Sequence, residues 1–494
     1  MKYISTRGKA EGLDSAEAII RGIAGDGGLF VPTEIPKVDA AFLEELTKLS
    51  YAERAKTILR LFLTDYTDEE ISGCVEAAYG GGKFDVESVA PVKGVGDMSV
   101  LELWHGPTSA FKDMALQLLP QLLSTALKKT GETKETLILV ATSGDTGKAA
   151  LAGFADVPQT KIMVFYPEGG VSAIQRLQMT TQTGGNVSVI AVKGNFDDAQ
   201  GGVKAIFGDA VMNERLESEG VKLSSANSIN WGRLVPQIVY YFSAYADLVK
   251  TGAIKNGDAI NFTVPTGNFG NILAGFYARQ MGLPVYRLVC ASNENNVLTD
   301  FLQTGYYDKN RDFFRTISPS MDILVSSNVE RLLYHMTGDP VRIADWMREL
   351  STEGRYDVGV GMLQRFQNYF WASWADDVKT KETIREVSEA EGYVMDPHTA
   401  VAWTVAHEYR RRTHDNRPMV VVSTASPYKF NDSVLDALGE NTAGNPFTLL
   451  DRLEKKSGTV APKGLALLKG AKVLHEGSCE KAAMADEVLA FAKK

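Results

Sequence analysis

From about residue 95 to residue 305 the chain repeats one phrase: an apolar or β-branched run, a loop of small residues, then an Ala-rich or amphipathic stretch. SVLEL runs into WHGPTSAFKDMALQLLPQLLSTAL, TLILVA into TSGDTGKAALAGFA, KIMVFYP into EGGVSAIQRLQMTTQ, and NVSVIAV into KGNFDDAQGGVKAIFGDA. INFTVP and PVYRLVC open two more repeats, and PMVVV (418–422) is a further buried-strand run. Short continuous apolar runs bounded by turn residues predict strands buried on both faces. Their alternation with helices predicts an α/β protein with open, mainly parallel sheets and right-handed crossovers. Ligands of such sheets bind beyond the carboxyl ends of the strands, so the strand-ending loops are where chemistry is expected.

The flanks read differently. SAEAIIRGIA is a helix signal capped by Asp14 or Ser15, followed by the turn-rich GDGGLFVP. AAFLEELTKLSYAERAKTILRLFL and DEEISGCVEAAYGG carry apolar residues at helical spacing. Residues 322–415 are mostly helical, with charge on one face, and are expected to cover the sheet or form an interface, the alternative being a regulatory domain. The predicted division is a mainly helical N-terminal segment (1–94), a smaller α/β domain with the lysine region (95–222), a larger α/β domain (223–440) with the helical insertion 322–415, and a helical tail (441–494).

Composition narrows the function classes. With 52 basic and 61 acidic side chains the net charge is −9, which disfavours nucleic acid as a partner. Cys74, Cys290 and Cys479 are far apart and unpaired by any CxxC spacing, so they read as reduced thiols. The histidines show no HExxH or similar spacing, and no metal is assigned. No run of membrane-spanning length and no leader-like start is found, so a soluble cytoplasmic protein is expected, a monomer or small homo-oligomer with no membrane partner.

Five stretches carry candidate chemistry. In WHGPTSAFKDMA, Lys112 follows a Gly-Pro turn and opens an apolar helix. An amine there can form a Schiff base if a dry pocket or a neighbouring cation lowers its pKa; taken alone, it would be an ordinary surface lysine. TGNFGN (266–271) sets Gly267 and Gly270 before a helix, which suits a phosphate monoester; its spacing fits neither a dinucleotide nor a Walker loop. ATSGDTGKAA (141–150) places Thr142, Ser143, Asp145 and Thr146 around a helix start, where capping alone would also explain them. SSANSINWGRLVPQ (224–237) groups Asn227, Ser228, Asn230 and Arg233, a receptor for phosphate or carboxylate or else a solvated loop. STASPYKF offers Ser423 and Thr424 directly after a strand, able to meet a ring nitrogen or merely to cap. Together a lysine loop, a phosphate loop, a polar loop and a hydroxyl loop suggest pyridoxal phosphate.

HGPTSAFKD, TSGDTG, SSANSINWGR, PTGNFGN and STASPYKF, with the opening MKYISTRG and GIAGDGGLFVP, resemble in this order the threonine synthases of the longer microbial and fungal type. The resemblance covers nearly the whole chain. It implies the tryptophan-synthase-β-like architecture, fold type II among pyridoxal-phosphate enzymes, and the conversion of O-phospho-L-homoserine and water into L-threonine and phosphate. It assigns Lys112 as the Schiff-base lysine and proton shuttle. Gly267, Asn268, Phe269, Gly270 and Asn271 hold the cofactor phosphate on this reading, and Thr424, or its neighbour Ser423, faces the pyridine nitrogen. Thr146, Asn227, Ser228, Arg233 and Asn271 receive the substrate. Asp145 stands where many relatives carry an asparagine, so it must be protonated or sit beside a donor. Two alternatives are a serine or threonine dehydratase on the same fold, which leaves Arg233 without a purpose, and a non-catalytic binder of a phosphorylated ligand, which leaves Lys112 without one.

Overall fold

The structure is a computed structural model that describes residues 1–8, 12–142, 144–169 and 171–494, leaving aside the side chain of Asp197. In chain order its strands are β1 (Tyr3–Ser5), β2 (Phe30–Pro32), β3 (Val92–Val95), β4 (Met98–Glu102), β5 (Glu135–Ala141), β6 (Thr160–Pro167), β7 (Val187–Lys193), β8 (Val221–Ser224), β9 (Ile260–Pro265), β10 (Val285–Ser292), β11 (Tyr306–Asp308), β12 (Arg355–Asp357), β13 (Phe370–Trp374), β14 (Met419–Ser423) and β15 (Gly477–Glu480). The larger sheet has six strands in the order β13-β10-β9-β14-β4-β3, and the smaller has five in the order β15-β7-β6-β5-β8. All pairs in the smaller sheet are parallel, and in the larger only β3 runs antiparallel to its neighbour.

The predicted runs became the central strands because each is covered on both faces. Every residue of β9 is buried, and its two polar members lie among partners: Asn261 donates to Asp415 Oδ2 at 2.9 Å, and Thr263 sits beside Met419. The 20-residue helix Trp231–Lys250 is buried along almost its whole length. It packs against the N-terminal helix Tyr51–Phe62 and against Gly270–Met281. Trp231 at its start meets Tyr3, whose hydroxyl donates to Phe62 O at 2.9 Å. Asp14 does precede the helix Ser15–Arg21, but its carboxylate pairs with Lys2 instead of capping.

Three features differ from the expected layout. The β3–β4 hairpin completes the larger sheet, so the strand that leads to Lys112 stands beside β14, not with the smaller domain into which 95–222 places it. The segment 322–415, mostly helical as expected, also supplies β13, an edge strand with only one neighbour. The tail after residue 440 supplies β15, in which Cys479 alone is buried. Edge strands need one apolar face at most, so neither shows the continuous run that betrays a central parallel strand.

Candidate active site

Lys112 opens the short helix Lys112–Leu116, and its loop is held from two sides. Asp113 accepts from Thr108 N at 2.8 Å and from Thr108 Oγ1 at 2.7 Å. Burial pushes the Asp113 carboxyl up to about 6 against those two bonds. Phe111 N donates to Thr424 O at 2.8 Å and Ser426 N to Ser109 O at 3.1 Å, tying the lysine loop to the loop after β14. Lys112 is 9% exposed. Its Nζ donates to Ser320 Oγ at 3.2 Å and lies 3.8 Å from Asp145 Oδ2. Burial lowers its pKa to about 8; Asp145 opposes the shift, and Lys429 and Arg233 add to it. A surface lysine is excluded by this setting.

Asp145 answers the question the sequence posed. Its carboxylate pairs with Lys429 at 2.5 Å and accepts from Gln175 Nε2 at 3.1 Å. Burial alone would raise its pKa, but Lys429 and Lys112 outweigh burial and hold the carboxyl well below the usual range. Asp145 is therefore ionised beside a donor, not protonated. Lys429 is the residue that sequence reasoning missed. It lies within the quoted STASPYKF, fully buried, also donating to Thr108 O at 3.0 Å. A lysine carries no apolar periodicity, so nothing local marks it as interior.

The loop between β9 and the helix Gly270–Met281 has the features of an anion cradle. The backbone N–H groups of residues 267–271 donate to no protein acceptor among the described residues, and they lie at the positive end of a 12-residue helix. Phe269 adopts a left-handed φ of 63° to turn the chain into that helix, a strained conformation of the kind found at ligand sites. A Cβ on Gly267 would come within 2.7 Å of Ser320 O, so only glycine lets the two backbones meet. Asn271 is buried; its Oδ1 accepts from Tyr240 at 2.6 Å and Tyr241 at 2.8 Å, while Nδ2 has no partner. In the loop after β5, by contrast, Thr142 Oγ1 already accepts from Gly144 N and Gly147 N, both at 3.0 Å. Thr146 sits half-buried in the first turn of the helix Asp145–Phe154, and Ser143 lies outside the described residues.

Arg233 reaches the same space from the first turn of Trp231–Lys250. Its guanidinium is buried, donates to Ala226 O at 2.7 Å and has no carboxylate in ion-pair range among the described residues. Burial alone lowers its pKa to about 10, so it remains a cation. Ser228 is half-buried and Asn227 exposed. Asn328 Nδ2 joins this stretch to the loop after β9, donating to Ser228 O at 3.2 Å and Asn268 O at 3.1 Å. Asn230 is committed elsewhere, accepting from Gly232 N and donating to Ile19 O. Ser423 is also engaged, with Trp104 Nε1 at 3.0 Å and Thr399 Oγ1 at 2.9 Å. That leaves the Thr424 hydroxyl, which follows β14, as the free one of the pair among the described residues.

Residues 2–79 match the model for the threonine synthase N terminus, 99–361 that for pyridoxal-phosphate dependent enzymes, and 399–469 that for the threonine synthase C-terminal region. The chain is 41% identical over 479 residues to the threonine synthase of Pseudomonas aeruginosa, covering 96% of this chain and 98% of that one. It is 40% identical over 435 residues to human threonine synthase-like 1, but spans only 58% of the length of that relative. The crystal structure of pyridoxal-phosphate-bound threonine synthase from Brucella melitensis superposes with a TM-score of 0.89 at 36% identity, covering 100% of both chains. The yeast enzyme gives 0.89 at 35%, covering 99% of this chain and 98% of that one. With these matches along its length, and with the fold type II architecture they share, the chain belongs to the threonine synthase family of pyridoxal-phosphate dependent enzymes.

Proposed function

We propose that this protein is a threonine synthase, converting O-phospho-L-homoserine and water into L-threonine and phosphate. The observation that carries the reading is Arg233, a buried cation with no carboxylate partner among the described residues that lies close enough to Lys112 to depress its pKa. A buried charge without a partner is costly, and an anionic substrate group supplies the missing one.

The residues present fit the cofactor. Gly267, Asn268, Phe269, Gly270 and Asn271 offer the free N–H groups for its phosphate, Thr424 the hydroxyl for its ring nitrogen, and Lys112 the amine for its aldehyde. Pyridoxal phosphate, when bound, supplies the electron sink beside the substrate amino group. The chain's own residues do the rest. Arg233, with Ser228, Asn227 and Thr146, receives the substrate phosphate, and Asn271, whose buried Nδ2 has no partner among the described residues, is assigned to the substrate with them. The net reaction removes phosphate from the γ-carbon and places hydroxyl on the β-carbon. Protons therefore leave the α- and β-carbons and return to the α- and γ-carbons. Lys112 Nζ, with a pKa near the working range, takes and returns them. Burial of the amine keeps bulk water from intercepting that proton.

We infer a cytoplasmic enzyme, monomeric or a small homo-oligomer; no helix among the described residues is long and apolar enough to cross a membrane. The test is product analysis with O-phospho-L-homoserine. Phosphate and threonine formed in equal amounts support the reading. Deamination of threonine without any phosphate release from phosphohomoserine would replace it with the dehydratase.

A further inference from the structure

Ser320 lies where the phosphate cradle and the lysine meet. Its Oγ is the hydroxyl that accepts from Lys112 Nζ, and its carbonyl is the atom that a side chain at residue 267 would strike. It sits in the short 3₁₀ turn Pro319–Met321, between residues that hold the turn from outside. Asn293 Nδ2 donates to Ser318 O at 3.3 Å and to Asp322 Oδ1 at 2.8 Å, and Asp322 Oδ2 accepts from Thr316 N at 3.0 Å.

The inner side of the turn is fixed by a buried imidazole. Ser320 N–H donates to His398 Nε2 at 3.2 Å, and His398 Nδ1 lies 2.7 Å from Asp396 Oδ1. A backbone N–H can only donate, so Nε2 must carry the lone pair and Nδ1 the proton it gives to Asp396. Asp396 is held in turn: it accepts from His398 N at 2.9 Å and Thr399 N at 3.3 Å, capping the helix Pro397–Thr413. Both His398 and Asp396 are buried, at 2% and 0% exposure. The chain of contacts runs Asp396, His398, Ser320, Lys112 without a gap.

We propose that Ser320 is the hydrogen-bond partner that holds the amine of Lys112 whenever that amine is free, and that His398 and Asp396 are positioning residues that aim Ser320 at it. The proposal rests on the role given to Lys112 under the proposed function. Ser320 Oγ accepts a hydrogen from Nζ and so favours the ammonium form over the amine. As a base, Lys112 gains from that acceptor at the moment it takes the proton, and the fixed turn keeps the acceptor in place.

The experiment follows Lys112 itself. The full chain freed of cofactor is treated across pH 6–11 with an amine-acylating reagent, and modification of the Lys112 peptide is read by mass spectrometry. S320A is expected to lower the midpoint by about one pH unit, since the acceptor that favours the cation is gone. H398A lowers it as well, H398Q restores part of the shift by keeping an acceptor, and H398A adds nothing in the S320A background. In the loaded enzyme S320A lowers kcat roughly tenfold with KM within about twofold. An unchanged midpoint in S320A overturns the proposal, as does an H398A shift that persists undiminished in the S320A background. Acylation needs no turnover, so a chain inactive on phosphohomoserine that still shows these shifts would sink the proposed substrate and leave Ser320 in its role.

Discussion

The loops after β9 and β5 are made of the same ingredients: two glycines, short polar side chains and a helix start. In the first, the N–H groups of residues 267–271 find no protein acceptor among the described residues, and no acidic side chain enters the first turn. In the second, Thr142 occupies two N–H groups and Asp145 brings a carboxylate to the helix start. A helix N-terminus attracts an anion only while its donors are free, so the first loop keeps all five of these N–H groups open to an anion, whereas the second has already committed two of its own to Thr142. What the second loop presents instead is charge. Asp145, ionised by Lys429, faces Lys112 across the cleft, while Arg233 supplies the unpaired cation.

The largest expected effect belongs to the residue both loops serve. Lys112→Ala should cut turnover by at least about 10³-fold, as removal of a proton-transfer group does, and abolish the visible band of the bound cofactor. In the wild-type chain freed of cofactor, acylation of Lys112 should be half-maximal near pH 8: burial lowers the pKa, so the reactive amine is present above that value and lost below it. Asp145→Asn leaves Lys429 buried without its carboxylate. The expected loss of stability is about 3–5 kcal/mol, read by denaturant unfolding with cofactor bound. Unaltered unfolding would mean that the second loop does not depend on its charge.

Arg233→Ala comes next, with kcat/KM for O-phospho-L-homoserine falling roughly 10²-fold while the cofactor band is kept. Equal loss of the band would move Arg233 from the substrate to the cofactor phosphate. Gly267→Ala should weaken cofactor affinity about tenfold, because its Cβ cannot approach Ser320 O at 2.7 Å without displacing the cradle. Titration of cofactor into the stripped chain measures it.

Much of this arrangement is legible in the sequence, for a physical reason. Central strands of parallel sheets are buried on both faces, so β5, β6, β9, β10 and β14 appear as continuous apolar runs and their loops as interruptions. Chemistry beyond the strand ends then follows from topology. The edge strands β13 and β15 show no such run, and Lys429 reads as any other lysine because its burial is set by Asp145, 284 positions away. The two glycine loops cannot be told apart by spacing either. Whether a backbone N–H is free depends on a neighbour such as Thr142, and only the folded geometry places that hydroxyl.

Thr142 also provides the smallest and most selective test of the two loops. Its Oγ1 satisfies the N–H groups of Gly144 and Gly147 at the start of Asp145–Phe154, which is the work of a helix cap. Thr142→Ala should therefore cost about 1 kcal/mol, a fall in Tm of roughly 2 °C, with cofactor affinity unchanged. Gly267→Ala should differ in its effect on affinity: its clash with Ser320 O lowers the Tm of the stripped chain as well, but it also weakens cofactor binding about tenfold, which Thr142→Ala does not. If Thr142→Ala instead lowered cofactor affinity as Gly267→Ala does, the hydroxyl would be serving the ligand and not the helix. The loop after β5 would then share the phosphate, and the contrast between the two loops would fail.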